Sequence, residues 1–153
     1  MKTLFPKQEC HIPKWFVIDA NGKTLGRLAT EASKLLRGKE TSYYTPGINQ
    51  GNFVVILNAD KISIGGNKKL TKLYYRNSQR PGSLKVETFT QLKNRIPTRI
   101  IEQAIWGMLS KNHIGREYYK RLYVYKEGQI PYSHKSTNNQ EFDFEKNWIK
   151  IDL

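Results

Sequence analysis

The chain has 153 residues, 38% hydrophobic and 12% aromatic, which suits one globular domain with a real core. Its 26 lysines and arginines against 13 acids leave a net charge of +13, and self-repulsion on that scale calls for a polyanionic partner. Cys10 is the one cysteine, which excludes an intramolecular disulfide, and no run is apolar enough to cross a bilayer. Met1–Lys14 has neither the apolar core of a signal peptide nor the pattern of a transit peptide, so it reads as an untargeted start.

Taken in chain order, the apolar run from Trp15 to Ala20 ends in Asn21-Gly22 and predicts a buried strand followed by a turn. Leu25, Leu28, Ala29, Ala32, Leu35 and Leu36 recur at helical spacing, and Gly38 follows as a stop. This predicts a helix over Leu25–Arg37 with a basic outer face. Thr41–Asn52, with Pro46, Gly47 and Gly51, is a loop. Phe53–Asn58 is continuously apolar, like a strand covered on both faces. A further short strand is expected at Lys61–Ile64, closed by Gly65-Gly66. Strand, helix and buried strand in this order predict an α/β unit with parallel strands.

Asn67–Lys85 reads as a long functional loop with one short element around Leu73–Arg76. Thr88–Gln91 matches a capping box and starts a helix. Pro97 opens a second helix, with Ile100, Ile101, Ala104, Ile105, Met108 and Leu109 on one stripe. A short helix is expected at Ile114–Arg121 and a short strand at Leu122–Tyr125. Beyond Gly128 the chain turns polar: Ser133–Gln140 reads as a mobile arm, and Phe142–Leu153 carries anchors such as Trp148 for docking on a partner.

The charge is uneven. Met1–Lys126 holds 23 basic and 8 acidic residues, whereas Glu127–Leu153 holds 3 basic and 5 acidic. This predicts a basic domain over residues 1–128 and a C-terminal extension over 129–153 with a different job. The densest stretch, Lys61–Lys126, has 15 basic residues against 3 acids.

The chemistry of known enzyme classes finds little support. Asn21-Gly22-Lys23-Thr24 resembles the end of a phosphate-binding P-loop, but Val17 stands where the motif needs its first glycine. His11, His113 and His134 are scattered, Cys10-His11 is not a metal spacing, and no nucleophile elbow or paired carboxylates stand out. No metal or small cofactor is therefore expected. The RNA signal is distributed. Lys68, Lys69, Lys72, Arg76, Arg80 and Lys85 share one segment with Tyr74 and Tyr75, two tyrosines equally suited to core packing and to stacking on unpaired bases. A second group is Lys111, Arg116, Lys120 and Arg121, with Arg116 and Lys120 on one helical face by their spacing.

Together these segments resemble the bacterial-type large-subunit ribosomal protein L13 family. The motifs are Trp15–Ala20, Gly22–Thr30, Leu36–Lys39, Tyr44-Thr45-Pro46, Leu57–Ile62, Gly66-Asn67-Lys68 and Gly107-Met108-Leu109 with Lys111, Gly115-Arg116, Leu122, Val124 and Tyr125. The resemblance implies a three-layer α/β/α fold with a small parallel sheet of about four strands, no catalytic residues, and binding to large-subunit ribosomal RNA early in assembly beside neighbouring ribosomal proteins. The expected RNA-binding residues are the two basic groups above together with Arg27, Arg37 and Lys39 of the matching motifs. Departures fall at Gly47, Asn52, Gly65, Trp106 and Ser110, where the family usually has His, Asp, Thr, a basic residue and Pro, and in Pro131–His134. Trp106 is a candidate contact with a neighbouring protein. The tail past Gln140 runs beyond the usual family end. Arg80-Pro81-Gly82 and Arg95–Ile100 are most similar to plastid and cyanobacterial members, so a plastid-encoded protein is expected, with a bacterial one as the alternative.

Overall fold

In a computed structural model of the protein, residues 6–7, 11–129 and 148–151 are described. Strand β1 (Trp15–Asp19) pairs in parallel with β2 (Phe53–Leu57), Trp15 opposite Phe53 and Asp19 opposite Leu57. Strand β5 (Leu122–Val124) adds to β2, and β6 (Trp148–Ile151) adds to β1. The result is a four-stranded parallel sheet in the order β5-β2-β1-β6. Helices flank the sheet, as in the three-layer α/β class.

Alternation along the strands divides their side chains between two clusters. Phe16, Ile18, Val54 and Ile56 join the main core, with Leu122, Val124 and Ile151 packed against it. Trp15, Val17 and Val55 form a second cluster with Phe53, Leu57, Tyr123 and Tyr125, and Trp15 stacks on Phe53 at 4.4 Å. This double burial is why β1 and β2 read as continuous apolar runs.

Helix α1 (Leu25–Arg37) turns Leu25, Leu28, Ala29, Ala32, Leu35 and Leu36 inward. Each fully buried leucine is worth roughly 1.5–3 kcal/mol. The helix stops at Gly38, whose left-handed φ of 72° suits a residue without a Cβ. Its N–H donates to the Leu35 carbonyl, and an added Cβ would sit 2.2 Å from the Gln50 carbonyl oxygen. Helix α3 (Phe89–Arg95) begins with the expected capping box of Thr88 and Gln91. Helix α4 (Pro97–Met108) has Pro97 in its first turn and packs Ile100, Ile101 and Ile105 beside α1. Met108, expected on that stripe, is exposed at the last turn, while Leu109 just beyond is buried. Helix α5 is His113–Lys120.

Three expectations change. Lys61–Ile64 is not a strand. Asn58 takes a left-handed φ of 58° and turns the chain into a single 3-10 turn, Ala59–Lys61; only Ser63 then makes an isolated bridge, to Thr24. The apolar Ile62 and Ile64 mimic strand alternation because both are buried. Asn67–Lys85 is not one long loop. The short element expected around Leu73–Arg76 is strand β3 (Leu73–Arg76), but the segment also holds a four-residue helix α2 (Lys68–Thr71), and β3 pairs antiparallel with β4 (Lys85–Thr88). Trp148–Ile151, expected to dock on a partner, lies on the β1 edge of its own sheet. The arm expected at Ser133–Gln140 lies outside the described residues. Among the described residues no helix is long and apolar enough to cross a membrane.

Candidate nucleic-acid interface

One side chain of the β3–β4 hairpin is buried against the body. Tyr74 packs into the core at 8% exposure, whereas its neighbour Tyr75 is 61% exposed, so the strand's alternation assigns one tyrosine to packing and leaves the other available. Lys68, Lys69 and Lys72 are exposed on and after α2, with the Lys72 ammonium 5.4 Å from the Tyr74 ring centre. Arg80 sits at the exposed hairpin tip, where Gln79 and Gly82 take left-handed backbone and the Ser83 hydroxyl donates to the Arg80 carbonyl at 2.7 Å.

Arg76 and Lys85 are directly opposite each other across the hairpin. Like charges in one rung are destabilising. They face a small notch of about 200 Å³ completed by Ser78 and Ser83. Two cations around one notch, with the Ser78 hydroxyl beside them, make a setting for an anion; the Ser83 hydroxyl is already engaged by Asn77 Oδ1 and the Arg80 carbonyl.

Helix α5 is set by local chemistry. The Asn112 side chain accepts from the Gly115 N–H at 3.0 Å and caps the helix. Arg116 and Lys120 then stand exposed one turn apart. Lys111 bridges back to α4, donating to the Trp106 carbonyl at 2.5 Å with its ammonium 4.4 Å from the Trp106 ring centre. Arg121 is half-buried. It donates to the Gly51 carbonyl, lies 5.4 Å from the Phe53 ring centre, and has its pKa lowered by burial against a raising contribution from Glu117. It ties the end of α5 to the loop before β2.

The α1 residues divide. Arg37 is half-buried near Tyr118, as is Arg121, so the C-terminal end of α1 and the end of α5 form one basic region with exposed Lys39 beside it. Arg27 stands apart in a cleft with Lys23, Thr24 and Glu31 at the start of α1. Two carboxylate pairs, Lys34–Glu31 and Arg95–Glu87, and one histidine pair, His113–Glu117, are formed among the described residues. None of the thirteen expected RNA-binding residues takes part in them.

Sequence reading missed a concavity between the hairpin and helices α3, α4 and α5. Arg76, Arg95, Arg99, Gln103 and Trp106 line it, with Glu87 and Glu102. Its signal was present: Arg99, Gln103 and Trp106 are spaced four and three apart on the side of α4 away from Ile100, Ile101 and Ile105. Arg95 is held there by Glu87, donating to its two oxygens at 2.8 and 2.6 Å. Among the described residues no group of three or more His, Cys, Asp or Glu is placed to hold a metal ion.

The family model described as ribosomal protein L13 matches residues 13–131. The chain belongs to the ribosomal protein L13 family. Similar relatives are cyanobacterial proteins named large ribosomal subunit protein uL13. One from a Synechococcus species is 46% identical over 142 residues, covering 93% of this chain and 95% of the relative. One from a Picosynechococcus species is 50% identical over 133 residues, covering 87% and 88%. A third, from Synechococcus elongatus, is 49% identical over 131 residues, covering 86% and 87%. The departures from the L13 pattern acquire structural contexts. Asn52, where the family usually has Asp, is 1% exposed and donates to the Leu35 carbonyl and the Glu40 carboxylate. Trp106 meets Tyr119 edge-on at 5.1 Å. Gly47 and Gly65 are exposed, and the loss of larger side chains there leaves no cavity to fill.

Proposed function

We propose that this protein is a structural constituent of the large ribosomal subunit, not an enzyme. In this reading it binds large-subunit ribosomal RNA, supports early subunit assembly and translation, and contacts neighbouring ribosomal proteins. The observation that carries the reading is a set of thirteen cations outside the ion pairs formed among the described residues, on a fold of the L13 family. Phosphate contacts by such residues supply affinity and register rather than base readout. Two surfaces do most of the binding. One is Lys68, Lys69, Lys72, Arg76, Arg80 and Lys85 on α2 and the hairpin. The other is Lys111, Arg116 and Lys120 on and before α5, continued by Arg37, Lys39 and Arg121. Arg27 is a separate outlying contact.

Residues 1–128 form the basic RNA-binding domain and 129–153 the extension, part of which supplies the edge strand β6. The ribosome is a plastid's, with a bacterial cytoplasm as the alternative; cyanobacterial relatives and the heavy use of Lys, Asn, Ile and Tyr support this. The test is sedimentation of a native lysate through sucrose gradients at low and high salt, with the chain followed by mass spectrometry. Co-migration with the large subunit after a high-salt wash is expected. A pool that stays at the top of the gradient refutes the reading and points to a free regulatory role.

A further inference from the structure

The concavity beside the hairpin differs in kind from the open cationic surfaces. It has a volume of about 290 Å³, at the small end for ligand sites. One wall is the second face of α4, where Arg99, Gln103 and Trp106 follow one another along successive turns. The opposite wall is the inner face of the hairpin, with Tyr74, Arg76 and Glu87. Tyr74 is 8% exposed, and its buried hydroxyl has no hydrogen-bond partner among the described residues. A buried O–H without an acceptor is costly, which makes it a signal of something missing.

The charge of the site is informative. Three guanidiniums, Arg76, Arg95 and Arg99, meet two carboxylates, Glu87 and Glu102, which leaves one positive charge. Arg95 and Glu87 satisfy each other. Arg76 and Arg99 have no ion pair among the described residues, and Arg76 also lines the adjoining notch with Lys85, Ser78 and Ser83. Arg76 is thus common to the linings of both hollows. An aromatic wall with amide and carboxyl groups at its edge suits a heterocyclic base. A cationic notch next door suits the single negative charge of a phosphodiester.

We propose that this concavity seats one unstacked nucleotide of ribosomal RNA. Its base lies against Trp106 with Gln103 at its edge, and its phosphate lies in the notch between Arg76 and Lys85. The inference rests on the RNA-binding reading above and goes beyond it, because it assigns a base contact to Trp106, a position where the family usually carries a basic residue. A neighbouring protein is less favoured here, since two unpaired guanidiniums would need acidic side chains at both.

The experiment measures binding of the full-length chain to deproteinised large-subunit ribosomal RNA over a range of salt concentrations. Thermal melting of each variant checks the fold. Trp106→Ala is expected to weaken binding roughly 5- to 150-fold, the range for loss of one base–aromatic stack, with an unchanged salt slope. Trp106→Phe should recover most of the affinity, because a phenyl ring still stacks. Arg76→Gln should lower the slope by about 0.7, the single-strand value for one lost phosphate contact. Ultraviolet cross-linking of intact ribosomes should then join a nucleotide to the peptide carrying Trp106. The inference is overturned if Trp106→Ala binds within twofold of the parent, or if Trp106→Phe is no better than Trp106→Ala. A cross-link from that peptide to another protein instead of RNA overturns it too. Those results leave the broader reading intact if Arg116→Gln and Lys120→Gln still weaken binding. A parent chain without affinity for the RNA defeats both.

Discussion

Two glycine-to-alanine substitutions in neighbouring helices should shift stability in opposite directions. Gly107 in α4 is exposed, and an added Cβ would meet nothing within 4 Å. Alanine there gains helix propensity, about 0.5–1 kcal/mol. Gly115 in α5 is buried, and a Cβ would lie 1.8 Å from the Ser110 carbonyl oxygen and 2.8 Å from its carbonyl carbon. Ordinary C···O contacts begin near 3.3 Å, so the two backbones must part by about 1.5 Å. No rotamer relieves this, because backbone opposes backbone. Overpacking costs about 1–3 kcal/mol, and displacement also threatens the Asn112 cap, worth about 1 kcal/mol. After the propensity gain, Gly115→Ala should be destabilising by about 2–3 kcal/mol. Urea unfolding of the two variants should therefore bracket the parent, with midpoints on either side. A stabilised Gly115→Ala chain would refute the close approach of α5 to Ser110.

Three further outcomes follow from the buried and charged groups. Asn52→Asp removes the amide donor to the Leu35 carbonyl and the Glu40 carboxylate, and puts a second acid beside Glu40, whose carboxyl is already pushed up by burial. It should cost about 2–4 kcal/mol at neutral pH. The new carboxyl's folded pKa is raised, so the loss is full above that value and shrinks below the unfolded aspartate value of about 3.9, to what the one remaining donor leaves unmet. Adding Glu40→Gln supplies a donor and should restore most of the stability; a double variant as weak as Asn52→Asp argues against the pairing. Asp19 has its pKa lowered first by the Asn21 N–H and then by the Asn58 amide. Its contribution, about 1 kcal/mol, is therefore present above the unfolded value and lost as pH falls through the folded one. The gap in urea midpoint between parent and Asp19→Ala should narrow steadily as pH falls below the unfolded carboxylate value, and a gap that does not change with pH contradicts this. Finally, Arg116→Gln with Lys120→Gln should lower the salt slope of ribosomal RNA binding by about 1.8 while the unfolding midpoint changes little, since both side chains are exposed. An unaltered slope removes α5 from the interface.

Much of the architecture was legible because its signals are local. Helix α1 shows its period in six apolar residues and its end in Gly38, and α3 shows its start in the Thr88–Gln91 box. The double burial of β1 and β2 is written in unbroken apolar runs. The short element at Leu73–Arg76 was legible, but β4 and its pairing were missed, because these four-residue strands bury one side chain, Tyr74, and two-strand pairing leaves little alternation to read. The expected strand at Lys61–Ile64 failed for the converse reason. Ile62 and Ile64 are buried, but the turn at Asn58 carries them away from the sheet.

The candidate site divides along the same line. Which residues carry positive charge, and that they cluster in two segments, is a property of composition and order, so the sequence alone determined the basic character and the family resemblance. Which of Tyr74 and Tyr75 is buried, and that Arg76 opposes Lys85, required the strand register. That Arg121 donates to the Gly51 carbonyl, and that Arg99, Gln103 and Trp106 face the hairpin across a hollow, was decided only by tertiary packing. These groups are far apart in the chain, and the contacts between them arise from long-range burial rather than from any local pattern of residues.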